Sequence, residues 1–129
     1  MANQSLLLSY VLLVLLQTLH VFEEIACDIF EIEVGPLHLS RERYLLAASV
    51  LSTLTILPLA LLLYDLPLGY YLGLLTSGVV GMLQGVVHVA GFVKTRTVRR
   101  SAGAGVYTAI PLSLAGAVVF VQLLQNLPG

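Results

Sequence analysis

The sequence predicts an all-α integral membrane protein: an antiparallel four-helix bundle of transmembrane helices, forming a single domain over residues 1–129. Three observations predict it. Hydrophobic residues make up 58% of the chain and charged residues only 10%, against about 25% charged in an average soluble domain. With a mean hydropathy of +0.97, the chain lacks the polar side chains to cover a water-facing surface. Four separate stretches reach the roughly 20 apolar residues that a span needs. All six Lys and Arg residues lie in or beside just two of the connections.

The first stretch covers residues 5–30, apolar through Leu16 and increasingly polar after it. Residues 1–16 carry no Lys or Arg, so the basic start of a signal peptide is missing and the segment reads as a retained span. Residues 31–41 contain a Gly35-Pro36 break that stops a helix. Ser40 is placed to cap the second span, residues 42–64, with Glu42 in its first turn. Asp65-Leu66-Pro67 turns the chain into the third span, residues 68–93. A basic loop of small residues, 94–104, leads to the fourth, residues 105–124. Links this short favour an up-down-up-down arrangement.

Within the spans, Pro58 and Pro111 are expected to kink their helices, which lipid-embedded bundles tolerate. Gly73, Ser77, Gly81 and Gly85 recur every four residues, a pattern that lets helices approach closely in lipid. Packing within the chain is the simpler use of that stripe; a homo-oligomer through the same face is the alternative.

Arg41 and Arg43 flank one loop, while Lys94, Arg96, Arg99 and Arg100 fill another. In a four-span bundle these loops share one side. The positive-inside rule then predicts a multi-pass protein of the cell (inner, cytoplasmic) membrane, with basic loops cytoplasmic and both termini outside. Arg99 and Arg100 read as topology determinants and lipid-phosphate contacts. The net charge of −1 argues against a nucleic-acid partner, which calls for a basic excess. Cys27 is the single cysteine, so no intrachain disulfide can form.

The informative segment runs from Gln17 to Asp28. At about 100° per residue, Gln17, His20, Glu24, Cys27 and Asp28 share one face of the first helix, which Tyr10 and Leu13 continue. Glu23 sits at its edge. Asp28, Glu31 and Glu33 read mainly as a solvated helix end, and His38 as a surface residue. Charges inside a span cost roughly 2.5–3.5 kcal/mol on insertion scales, so they face the bundle interior and need partners. Gln84 and His88 offer them from one face of the third helix, at a depth within a turn or two of His20.

Four readings of this constellation remain open. His20, Glu24 and His88 can ligate a divalent metal, zinc or iron, because His and Glu at i and i+4 put both ligand atoms on one side; Glu23 is then a further ligand or a general base, and Gln84 orients His88 or the substrate. Alternatively Glu23 or Glu24 performs metal-free acid–base chemistry with His20. His20 and His88 can also be axial ligands of a haem. Finally, the cluster can be a helix clamp in a non-catalytic membrane subunit. An enzyme of this build would take a hydrophobic small-molecule substrate, lipidic or isoprenoid-like, drawn from the surrounding membrane lipids.

His20-Val21-Phe22-Glu23-Glu24 resembles the motif that names the HXXEE family of small bacterial and archaeal membrane proteins, for which no activity is established. The likeness continues in Gln84-Gly85-Val86-Val87-His88, where the family has Asn, three residues, then His. It continues again in Arg99-Arg100, Gly105, Thr108-Ala109 and Pro111. Ala102 and Ala104 stand where the family tends to Tyr and Pro. The pattern covers residues 17 to 111 and implies a membrane protein with a His/Glu site. A looser likeness, to sterol-isomerase-type membrane bundles, bears on the metal-free alternative.

Overall fold

A computed structural model describes residues 3–30, 32–34 and 37–128. Gly35-Pro36 and Glu31 lie outside the described residues, as do the side chains of Glu33 and His38. Among the described residues the chain is a helical bundle with four helices, each long and apolar enough to cross a membrane: α1 (Gln4–Ala26), α2 (Arg41–Leu63), α3 (Pro67–Thr95) and α4 (Val106–Gln125). α2 packs on α1 and α3, and α4 packs on the same two helices. The result is the ring expected when short links join antiparallel neighbours. Between α1 and α2 a short antiparallel hairpin, β1 (Ile32–Val34) with β2 (Leu37–Leu39), pairs Ile32 with Leu39 and Val34 with Leu37. The sequence shows a loop there, because three-residue strands carry almost no alternation to read.

The starts of the helices follow their local chemistry. Asn3 caps α1 by accepting from the Ser5 amide at 2.7 Å. Ser40 caps α2 with Glu42 in the first turn, as its sequence predicts. Pro67 occupies the first turn of α3, where its missing N–H costs nothing. Helices α2 and α4 run unbroken through Pro58 and Pro111.

The end of α1 corrects the sequence reading, which carried it to Phe30. The helix stops at Ala26. Asp28 adopts φ 54°, its amide donates to the Ile25 carbonyl, and the Ile29 amide reaches back to Glu24 at 3.0 Å. This is a Schellman termination with Asp at the left-handed position usually held by Gly. Asp65 ends α2 in the same way, with φ 55° and the Leu66 amide donating to the Leu61 carbonyl at 3.0 Å. Asp tolerates this conformation, but it does not announce it in a sequence as Gly does.

Two zones divide the interior. Toward the termini, Leu6, Tyr10, Leu13, Leu62, Leu112, Val119 and Leu123 form a dry apolar core, whose buried Tyr10 hydroxyl meets Thr76 Oγ1 at 2.8 Å. Toward the basic loops, Ile29, Tyr44 and Ala104 form a smaller cluster. Outward-facing positions are apolar along every helix, among them Leu8, Leu15, Leu46, Leu75, Val86 and Leu114. A water-soluble protein does not expose apolar surface on that scale.

The small-residue stripe packs within the chain, against α4. A Cβ at Gly81 would lie 2.8 Å from Gly116 Cα, and one at Gly85 would meet Ser113. A strict four-residue repeat drifts by about 40° per step on an α-helix, so four such residues would not normally share one neighbour. Here Ser77–Met82 widen into π-helical turns, and these take out the drift. The backbone is satisfied from outside: the Gly85 amide donates to Ser113 Oγ at 2.7 Å, and that hydroxyl faces the carbonyls of Gly81 and Met82 at 3.2 and 3.0 Å. Ser113→Ala leaves the Gly85 amide without its acceptor in an apolar environment. Its expected cost is about 1–2 kcal/mol, read as a lower unfolding midpoint in detergent micelles.

Candidate metal centre

α1 carries Tyr10, Leu13, Gln17, His20 and Glu24 on its buried face. Just beyond the dry core this face turns polar, and there it meets His88 of α3. His20 is 0% exposed, His88 5% and Glu24 9%. Glu24 Oε1 lies 3.3 Å from His88 Nε2 and 3.7 Å from His20 Nε2. The two imidazoles meet edge to face, with ring centroids 4.7 Å apart. Taking one ligand atom from each of the three residues, all lie within 4.8 Å of one another.

Glu24 and His20 each have a second partner behind the atom that faces the cluster. Glu24 Oε2 accepts from the Tyr44 hydroxyl at 2.7 Å. His88 Nε2, the nitrogen that faces Glu24, also lies 3.0 Å from Gln84 Oε1; an amide oxygen only accepts, so this nitrogen carries the His88 proton. His20 Nδ1 lies 3.0 Å from Thr108 Oγ1, and Thr108 Oγ1 donates to Glu23 Oε2 in a very short hydrogen bond. A hydroxyl has one proton. With that proton given to the Glu23 carboxylate, Thr108 can only accept from His20, so His20 carries its proton on Nδ1. Nε2 is left with a free lone pair, and it is a buried atom with no hydrogen-bond partner among the described residues.

Glu23 has a different position from the one its place in the motif suggests. Its carboxylate accepts from the amides of Tyr107 at 3.1 Å and Thr108 at 2.7 Å, the second and third residues of α4. The N-cap of α4 is Gly105, which has no side chain to offer and sits at φ 90°. A Cβ there would come within 2.6 Å of His20 Cε1. Position 105 must therefore be glycine, and α1 supplies the cap across the interface instead. Both oxygens of Glu23 are thus engaged at the helix terminus, and the cluster of groups that could hold an ion is His20, Glu24 and His88.

Asp28 sits just past the helix end, in keeping with the solvated helix end read from the sequence. It falls beyond α1 rather than on its polar face, 3.0 Å from the Arg99 guanidinium and 3.6 Å from that of Arg100. The Arg100 amide donates to the Cys27 carbonyl at 2.8 Å. These contacts dock the α3–α4 loop on the end of α1 and bring both basic loops to one end of the bundle. Gln17 is buried, one turn before His20, with its Oε1 unpartnered among the described residues. Cys27 is half-buried and free.

Three residues of the site were not assigned a role from sequence: Tyr44, Gly105 and Thr108. The last two belong to the pattern that carries the family resemblance, so a signal for them existed. Tyr44 follows Arg43 in the first turn of α2 and looks like an interfacial aromatic. No family model, curated protein or solved structure matches the chain.

The three residues could hold a metal ion, with the largest spacing among their ligand atoms bounded at 4.8 Å. A tetrahedral ion with bonds of about 2.0–2.1 Å spaces neighbouring ligand atoms about 3.3 Å apart, close to the 3.3 and 3.7 Å found around Glu24 Oε1. For Glu24 and His20 the contacts behind the ligand atoms are those that orient metal-bound carboxylate and imidazole groups; the Gln84 contact falls on the same His88 Nε2 that faces Glu24, so that nitrogen would have to give up its proton to hold an ion. The rings touch edge to face with a carboxylate beside both nitrogens, which leaves no slot for a porphyrin between them.

Proposed function

We propose that this chain is a metal-dependent enzyme of the cytoplasmic membrane, in which His20, Glu24 and His88 hold a divalent zinc or iron ion and act on a lipidic substrate. The observation that carries the reading is the His20 Nε2 lone pair. It is fixed by Thr108 and Glu23, buried without a donor, and turned toward a carboxylate oxygen and a second imidazole. Three protein ligands leave an open position, the usual arrangement of a catalytic rather than a structural site. A divalent ion there supplies Lewis acidity toward a substrate oxygen or activates a water. The protein's own part is to hold the ligands, exclude bulk water and present an apolar approach from the lipid. The likeness to the HXXEE-motif family belongs to the same proposal. So does the orientation, with the basic loops and the adjoining site on the cytoplasmic side.

Elemental analysis of the purified full chain tests the metal. The expected result is one divalent ion per chain, lost in His20→Ala and in His88→Ala. A wild-type protein without stoichiometric metal after growth in zinc- and iron-supplemented medium sinks the reading. One observation favours a second: Tyr44 donates to Glu24 beside a cavity, a proton-donor pair suited to metal-free isomerisation or cyclisation. Metal-free wild type that still turns over lipid would favour that pair.

A further inference from the structure

Beside Glu24, between α1, α2 and α3, lies a cavity of about 240 Å³. α1 contributes Gln17, Val21 and Glu24, and α2 contributes Tyr44, Ala47, Ala48 and Leu51. Both sets follow helical spacing, so the cavity is a gap between two facing stripes. The gap exists because Ala47 and Ala48 are too small to fill it. Ala47 and Leu51 are exposed on the outer face of α2, so the mouth opens sideways into lipid. The floor is polar, made by Gln17, Glu24, Tyr44 and Gln84.

The polar groups select the ligand. Gln17 is 4% exposed, and its amide oxygen is buried without a donor among the described residues. Native proteins seldom leave a buried acceptor in that condition. Glu24 adds carboxylate oxygens, and no Lys or Arg is among the lining residues. An anionic head would therefore be repelled, and a head that only accepts hydrogen bonds would leave Gln17 unpaired. The volume falls below the roughly 300–1,000 Å³ of pockets that enclose drug-sized ligands. It admits a small head and the first carbons of one chain, with the rest of the chain left in the membrane.

We propose that this cavity seats the head of a single-chain lipid alcohol entering between α1 and α2, with the Gln17 side chain turning its amide oxygen into the cavity to accept from the hydroxyl beside Glu24. As an assignment of substrate class this rests on reading the His20–Glu24–His88 cluster as the reaction centre; as a binding site it rests on the cavity.

The test uses the full chain in phosphatidylcholine nanodiscs with a diazirine-bearing decanol as photoprobe. Cross-linked peptides are mapped by mass spectrometry, and metal content is measured on the same sample. Labelling is expected on the facing stripes of α1 and α2. Unlabelled 1-decanol should compete at concentrations roughly tenfold lower than decyl methyl ether or decanoate, the factor that one donated hydrogen bond confers. Gln17→Leu should abolish the preference for the alcohol over the ether while labelling persists. Ala48→Leu should block labelling by filling the gap, and Ala47→Leu, at the exposed mouth, does the same without touching the core. Labelling spread evenly over lipid-facing positions, or equal competition by alcohol and ether in the wild type, overturns the proposal. A metal-free protein that keeps the alcohol preference overturns the metal reading and leaves this site standing.

Discussion

Replacing Glu23 by Ala is expected to destabilise the bundle by about 2 kcal/mol and to release the N-terminus of α4 from α1. The magnitude follows from what the carboxylate does. It accepts from two backbone amides of the first turn of α4, at 3.1 and 2.7 Å, and from the Thr108 hydroxyl. Loss of a capping side chain costs about 0.5–2 kcal/mol, and loss of a negative charge at a helix N-terminus adds about 0.3–1 kcal/mol. No side chain of α4's own cap can take over, because Gly105 has none and a larger residue would strike His20. Glu23→Gln keeps an acceptor but loses the charge, and should recover about half of the loss. Unfolding in mixed detergent micelles, followed by circular dichroism, measures both. A shift in Glu23→Ala below about 0.5 kcal/mol, the range of an ordinary surface substitution, would show that the contact adds nothing to stability.

The same pair of glutamates marks where sequence reasoning stops. The spacing alone shows that His20 and Glu24 share a face, since four residues return nearly to the starting angle on a helix. The buried set on α1 is the set that the period picks out, from Tyr10 through Glu24. The matched depth of His20 and His88 was also legible, because rise per residue converts position into depth. What could not be read is the division of labour between Glu23 and Glu24. Neighbouring helical residues point about 100° apart, so the two carboxylates must serve different partners. Glu23's partner lies 84 and 85 positions away in sequence, at the start of α4. Only the packing of α1 on α4 decides that one glutamate faces the histidines and the other faces a helix terminus.

Two backbone features were hidden for other reasons. The widened turns at Ser77–Met82 leave no trace in an apolar, glycine-rich run where every register is equally hydrophobic. They are nevertheless what keeps Gly73 and Gly85 facing the same neighbour. The early end of α1 depends on Asp28 in a left-handed conformation, which composition does not flag. Its consequence is local but real: the polar stripe stops at Glu24, and Asp28 is released to hold the arginine loop over the end of the bundle.

Thr108→Val separates the fold from the site. Valine keeps the branched shape and removes only the hydroxyl. Glu23 retains both backbone amides of α4, so the cap survives and the expected stability loss is about 1 kcal/mol. His20 fares differently. Its Nδ1 loses the oxygen at 3.0 Å that fixes which ring nitrogen carries the proton and how the ring is turned. Removing such a partner typically lowers metal affinity about 10–100-fold. Chelator competition for zinc on detergent-purified protein should show that loss in Thr108→Val, with most of it recovered in Thr108→Ser, which restores an oxygen within reach of both Glu23 and His20. Glu23→Ala should lose affinity and stability together, whereas Thr108→Val should lose affinity with most of the stability retained. If Val and Ser variants bind zinc equally well, Thr108 serves only to pack α4 against α1, and His20 takes its tautomer from elsewhere. A graded series in which affinity follows the hydroxyl while the unfolding midpoint barely moves would tie Glu23 to the metal through Thr108 and His20, at one remove from the ion.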